Sequence, residues 1–174
     1  MTVILIGYMG SGKTSIGKKL AKVLDYEFMD LDNYIVSKED QSISELFSSK
    51  GEIYFRKKES QYLRALIDDS KKKRVLALGG GTPCYANNMG FINDSEHVKS
   101  VFLKTSIPEL VKRLEPETAQ RPLIAHLESK DALTEFIGKH IFERNPYYEQ
   151  SDVTVTTDNK TVDEIVESII LTLY

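Results

Sequence analysis

Val3-Ile4-Leu5-Ile6-Gly7-Tyr8-Met9-Gly10-Ser11-Gly12-Lys13-Thr14-Ser15-Ile16-Gly17-Lys18 runs from an apolar segment, through three glycines, into a helical pattern. Val3 to Ile6 is too short for a helix and reads as a buried strand. From Gly7 to Thr14 the spacing is G-x-x-x-x-G-K-[ST], that of a Walker A phosphate loop. Each residue type has a job there. Glycines let the backbone curl so that successive N–H groups face one anion. The helix that follows turns its positive end toward the same point. In such a loop Lys13 reaches the β- and γ-phosphates and the Thr14 hydroxyl ligates Mg²⁺.

Outward from this stretch, strand and helix signals alternate, which predicts a parallel sheet covered by helices. Apolar residues at Ile16, Leu20, Val23 and Leu24 give the first helix its buried side. Tyr26 to Asp32 reads as a strand ending in two acids. Ser42-Ile43-Ser44-Glu45 is a capping box for a short helix that breaks over Ser48 to Gly51. A long helix is expected from Glu52 to Asp69, with Leu63, Leu66 and Ile67 buried. Val75 to Leu78 is a buried strand that runs into Gly79-Gly80-Gly81-Thr82-Pro83. Further strands are expected over Val98 to Leu103 and Val153 to Thr156. Ser106 opens a helix to about Leu114, Lys130 to Tyr148 is helical, and Thr161 caps a last helix. Between Leu114 and Lys130 the chain is polar, holds Pro116 and Pro122 and has no firm period; a connection that long is usually functional or disordered. No internal repeat or domain boundary is visible, so residues 1–174 read as a single domain.

Composition narrows the function classes. The chain has 174 residues, 41% hydrophobic and 28% charged, with net charge −3. That balance is ordinary for a globular protein and argues against nucleic acid as main partner, since duplex binding wants a basic face. A single cysteine, Cys84, rules out an internal disulfide framework and suits a reducing compartment. No apolar run approaches the roughly 20 residues that span a bilayer. The apolar N-terminus lacks a basic flank and ends at once in the phosphate loop, so it reads as a strand rather than a signal peptide. A cytoplasmic, monomeric protein is expected, with no membrane partner.

Six of the ten glycines lie in two places, residues 7–12 and 79–81, both at strand ends. In an open parallel sheet, ligands bind beyond the carboxyl ends of the strands, so both clusters can face one cleft. Asp30 and Asp32 follow a strand too, and alternation would point them to the same side. Two acids so close call for a shared cation or a hydroxyl donor; the bland reading is that Asp32 caps the next helix. Alone, Arg56 would be a solvated charge and Arg121 an ordinary loop arginine, although an arginine in a mobile segment suits a transferring phosphoryl group. Arg144, where a helix meets Pro146, could simply pair with Glu143. Cys84 reads as packing rather than a nucleophile.

Taken together, Gly7 to Thr14, Phe28-Met29-Asp30-Leu31-Asp32, Phe55-Arg56, Gly79-Gly80-Gly81-Thr82, Arg121-Pro122-Leu123 and Glu143-Arg144-Asn145-Pro146-Tyr147-Tyr148 resemble the shikimate kinases, a branch of the P-loop nucleoside monophosphate kinase-like fold. The resemblance spans the whole chain. It implies an α/β three-layer sandwich with a five-stranded parallel sheet of order 2-3-1-4-5, a substrate-binding region near residues 31–60 and a mobile lid near 115–130. It implies ATP-dependent phosphorylation of the 3-hydroxyl of shikimate, with Mg²⁺. Gly10, Ser11, Gly12, Lys13, Thr14 and Ser15 would hold the ATP phosphates, and Thr14 and, through water, Asp30 the metal. Asp32 would accept a hydrogen bond from the attacking hydroxyl and can take its proton. Arg56 and Arg144 would clamp the carboxylate and Gly79, Gly80 and Gly81 would meet the hydroxyls. Arg121 would close in with the lid to meet both ATP and substrate, and Arg113 and Asn159 would border adenine. The catalytic set implied is Lys13, Asp32 and Arg121. Two alternatives stand beside this reading: another small-molecule kinase of the same fold, and a nucleotide-binding regulatory module without catalysis.

Overall fold

The computed structural model describes residues 1–69 and 71–174. Five strands form one all-parallel sheet: β1 (Thr2–Ile6), β2 (Glu27–Asp30), β3 (Arg74–Ala77), β4 (Val98–Lys104) and β5 (Val153–Thr156), in the order β2-β3-β1-β4-β5. The helices are α1 (Lys13–Leu24), α2 (Leu31–Glu39), α3 (Ile43–Asp68), α4 (Asn88–Asn93), α5 (Ile107–Leu114), α6 (Lys130–Tyr148) and α7 (Val162–Leu173). Strand alternation sorts the core into two layers. Ile4, Ile6, Leu76 and Phe102 pack with the apolar faces of α2, α3, α5 and α6. Val3, Leu5, Val75, Val101 and Leu103 pack on the other side with α1 and α7. This is the expected three-layer sandwich in the expected strand order. Among the described residues no helix is long and apolar enough to cross a membrane.

The order matters for the site. β2, β3 and β1 are neighbours, so their carboxyl ends bring Asp30, Gly79 and Gly7 to adjacent positions on one edge of the sheet.

Three local expectations need correction. β2 stops at Asp30, and Asp32 lies in the first turn of α2 rather than at a strand end. The Asp30 carboxylate accepts hydrogen bonds from the amides of Asp32 and Asn33, so Asp30 is the cap and ends the strand. The alternation that would have paired the two acids therefore does not operate. The expected break over Ser48 to Gly51 shrinks to Gly51 alone, at φ 83° inside α3, where two helical segments abut at a kink. The short helices α2 and α4 were not foreseen; α2 buries only Leu31 and Ile35. α6 covers the expected span, with Pro146 inside its last turns.

Candidate active site

Gly12 caps α1 in the left-handed region, φ 92°, which lets the chain turn from loop to helix within one residue. Gly10 is also left-handed, at φ 82°. Lys13, the first residue of α1, folds its ammonium back over the loop and donates to the carbonyls of Gly7 (2.7 Å) and Tyr8 (2.9 Å). Burial lowers its pKa to about 8, against the opposing pull of Asp32 and Asp30. The Thr14 hydroxyl stands 3.4 Å from Asp30 Oδ2, so the two residues expected at a metal do come together. Ser11 is buried and its Oγ has no hydrogen-bond partner among the described residues; Ser15 is exposed at the helix start.

Asp32 faces the second glycine cluster. A methyl built on Gly79 would stand 3.0 Å from Asp32 Oδ1, so the carboxylate packs closely against the glycine backbone. Burial first, then Asp30 and Glu59, raise the Asp32 pKa to about 6. Lys13 and Arg56 oppose that rise. Although Asp32 sits on a helix and not a strand, it reaches the cleft that the glycines line.

Both arginines converge on the same triplet. A methyl on Gly81 would lie 2.8 Å from Arg56 Nη2, and one on Gly80 would lie 3.2 Å from Arg144 Nη1. Arg56 is held on several sides. It donates to Glu59 at 2.9 Å, and its guanidinium stacks on Tyr85 (4.1 Å) and Phe55 (5.3 Å). Glu59 is almost fully buried and also accepts from the Thr82 hydroxyl at 2.7 Å, which pins the glycine loop to α3. Arg144 has no carboxylate partner among the described residues, so the bland alternative of a pair with Glu143 does not form. Its charge lies over the Tyr8 ring at 5.6 Å. Tyr148, one turn further along α6, donates its hydroxyl to the Gly80 carbonyl at 2.5 Å.

The remaining candidates lie further out. Arg113 donates to Glu109 (2.8 Å) and to the Gly10 carbonyl (3.2 Å), tying α5 to the phosphate loop. Asn159 is left-handed, φ 56°, in the turn after β5; its neighbour Asp158 accepts from the Ser106 amide. Arg121 is engaged by Glu117 four residues earlier, at 2.8 Å from Nε, and its charge lies near enough to Lys13 to oppose the ammonium. Cys84 has its thiol pushed up to about 11 by burial, which argues against a nucleophile.

Several site residues escaped sequence reasoning: Glu59, Tyr85, Tyr8, Tyr148 and His140. A signal existed for two of them. Glu59 follows Arg56 by three residues, one face of a helix, and Tyr148 follows Arg144 by four.

A Walker A loop thus stands beside a second glycine loop on which one largely buried aspartate and two arginines gather. The family model for shikimate kinase matches residues 9–174. This chain belongs to the shikimate kinase family. The shikimate kinase of Flavobacterium psychrophilum is 44% identical over 96% of this chain and 95% of its own. Among solved structures, that of shikimate kinase from Bacteroides thetaiotaomicron superposes with a TM-score of 0.90 at 33% identity, covering 99% of this chain and 98% of that one. Shikimate kinase from Acinetobacter baumannii in complex with shikimate gives 0.85 at 29% identity, covering 99% and 92%.

Proposed function

We propose that this chain transfers the γ-phosphoryl group of ATP to the 3-hydroxyl of shikimate, giving shikimate 3-phosphate and ADP. The observation that carries the reading is the convergence of Asp32, Arg56 and Arg144 on Gly79, Gly80 and Gly81, beside the phosphate loop. Shikimate bears a carboxylate and ring hydroxyls, which is the chemistry those groups accept. A nucleoside monophosphate has no carboxylate for the two guanidiniums.

In this reading the 3-hydroxyl oxygen attacks the γ-phosphorus in line, and the bond to the bridging β–γ oxygen breaks as ADP leaves. The hydroxyl proton passes to Asp32. A carboxylate raised to about 6 is still ionised at neutral pH and a better acceptor than an ordinary aspartate. Arg56, immobilised by Glu59 and Tyr85, and Arg144 fix the carboxylate end, so the ring presents one hydroxyl to ATP. Lys13 and the amides from Gly10 to Ser15 hold the phosphates. Thr14 and Asp30 are hard oxygen donors near each other, which suits Mg²⁺ bound through one hydroxyl and, by water, one carboxylate. When bound, Mg²⁺ would neutralise phosphate charge. Residues 115–130 serve as the lid, with Arg121 exchanging Glu117 for the transferring phosphate as it closes, and residues 31–60 form the substrate-binding region. Arg113 and Asn159 border the nucleotide base. The enzyme works as a cytoplasmic monomer.

A coupled ADP-release assay tests the reading with shikimate, gluconate and nucleoside monophosphates side by side. Turnover confined to shikimate is expected. Good turnover of gluconate or a nucleotide with none of shikimate would favour the neighbouring kinase class. Tight ATP binding with no turnover of any acceptor would favour the regulatory module.

A further inference from the structure

Four residues of α6 at four-residue spacing, Phe136, His140, Arg144 and Tyr148, form a slowly turning stripe along the cleft. Tyr148 holds the Gly80 carbonyl. Arg144 lies against Gly80 and over the Tyr8 ring. The hydroxyl of Tyr8, itself 2% exposed, hydrogen-bonds His140 Nδ1 at 3.1 Å. Phe136 stacks on His140 at 4.4 Å and meets His126 at 6.0 Å, which lies in the segment between α5 and α6. Tyr8 is therefore clasped between two side chains one helical turn apart, while its own backbone carbonyl accepts from Lys13. A phosphate-loop residue touches the phosphate lysine through its main chain and the substrate arginine through its ring.

We propose that Tyr8 and His140 are positioning residues for the reaction, and that their hydrogen bond sets where Arg144 stands relative to the glycine triplet. Without it the Tyr8 ring is free to rotate out from beneath the guanidinium, and Arg144 loses the surface that aims it at Gly80. Burial supports a neutral pair: it raises the Tyr8 phenol to about 12 and lowers the His140 imidazole, helped there by Arg144. A neutral His140 adds no charge beside Arg144.

The inference rests on the kinase reading above, and steady-state kinetics with both substrates separate the two. Tyr8→Phe deletes one oxygen and His140→Leu deletes the ring nitrogens. Each is expected to raise KM for shikimate about three- to tenfold, with kcat and KM for ATP within about twofold, the size of one part-buried hydrogen bond. The double variant should be no worse than the weaker single, because both remove the same bond. His140→Asn, whose Oδ1 takes the place of Nδ1, should recover most of the loss. If His140→Leu does not fold, Tyr8→Phe and His140→Asn still decide. Unchanged KM for shikimate, strictly additive losses, or parallel loss of kcat and both KM values with a lowered Tm would overturn the proposal while leaving the kinase reading intact. A wild-type protein inactive on shikimate would take down both.

Discussion

In the proposed reaction Asp32 concentrates the chemistry of the site in one carboxylate. Replacing it with Ala should reduce kcat by about 10²- to 10⁴-fold, the usual worth of a positioned acid–base group, while ATP affinity changes little; isothermal titration beside a turnover assay checks this, and equal losses would mark a structural role. The pH profile follows from two opposite shifts. Asp32 must be ionised to accept the hydroxyl proton, so kcat/KM should fall as pH drops through about 6. Lys13 must be charged to hold phosphates, so kcat/KM should also fall as pH rises through about 8. Bound phosphate favours the charged ammonium, so the alkaline limb of kcat should lie higher than that of kcat/KM. At this scale the sequence was informative where spacing is rigid: Gly7 to Thr14 named its own geometry. It was misleading at Asp32, because a single cap by Asp30 converts a strand end into a helix start, and no periodicity announces that.

Elements were legible wherever a long apolar period or a capping box marked them. α6 runs over the residues expected from the pattern, and Ser42 and Thr161 make the capping boxes their sequences suggest. α2 was invisible because nine residues with two buried apolar positions carry too little pattern. The clamp on Arg56 was invisible for another reason: Glu59, Thr82 and Tyr85 meet only after α3 has packed on the loop beyond β3. Packing also overrides propensity at Gly17 in α1. A methyl there would stand 2.5 Å from the Phe28 ring and 3.2 Å from Leu5. Although Ala is the better helix former by about 1 kcal/mol, Gly17→Ala should lower stability by about 1–2 kcal/mol through overpacking. Urea denaturation decides the sign; a stabilised variant would mean that β2 yields to the methyl.

At the scale of the whole molecule, three adjacent strand ends carry the phosphate loop, Asp30 and the glycine triplet, while α3 and α6, on the same face of the sheet, bring one arginine each to that triplet. Alternation of strand and helix signals announced a parallel sheet, whereas the strand order came only through the family resemblance of the motifs. The segment from Glu115 to Ser129 was not, since its conformation depends on contacts such as Arg121 with Glu117 rather than on a period. If that segment closes over ATP, Arg121→Ala should lower kcat by about 10²- to 10³-fold with much smaller changes in either KM, because the charge it meets develops during transfer; single-turnover kinetics would show the loss in the chemical step. The central claim is that the cleft selects one acceptor hydroxyl. Phosphorus and proton NMR of the products from ATP and shikimate reads this directly. A single phosphomonoester coupled to the proton at carbon 3, formed with one equivalent of ADP, is the expected result. Release of inorganic phosphate alone, or an ester on another hydroxyl, would contradict it.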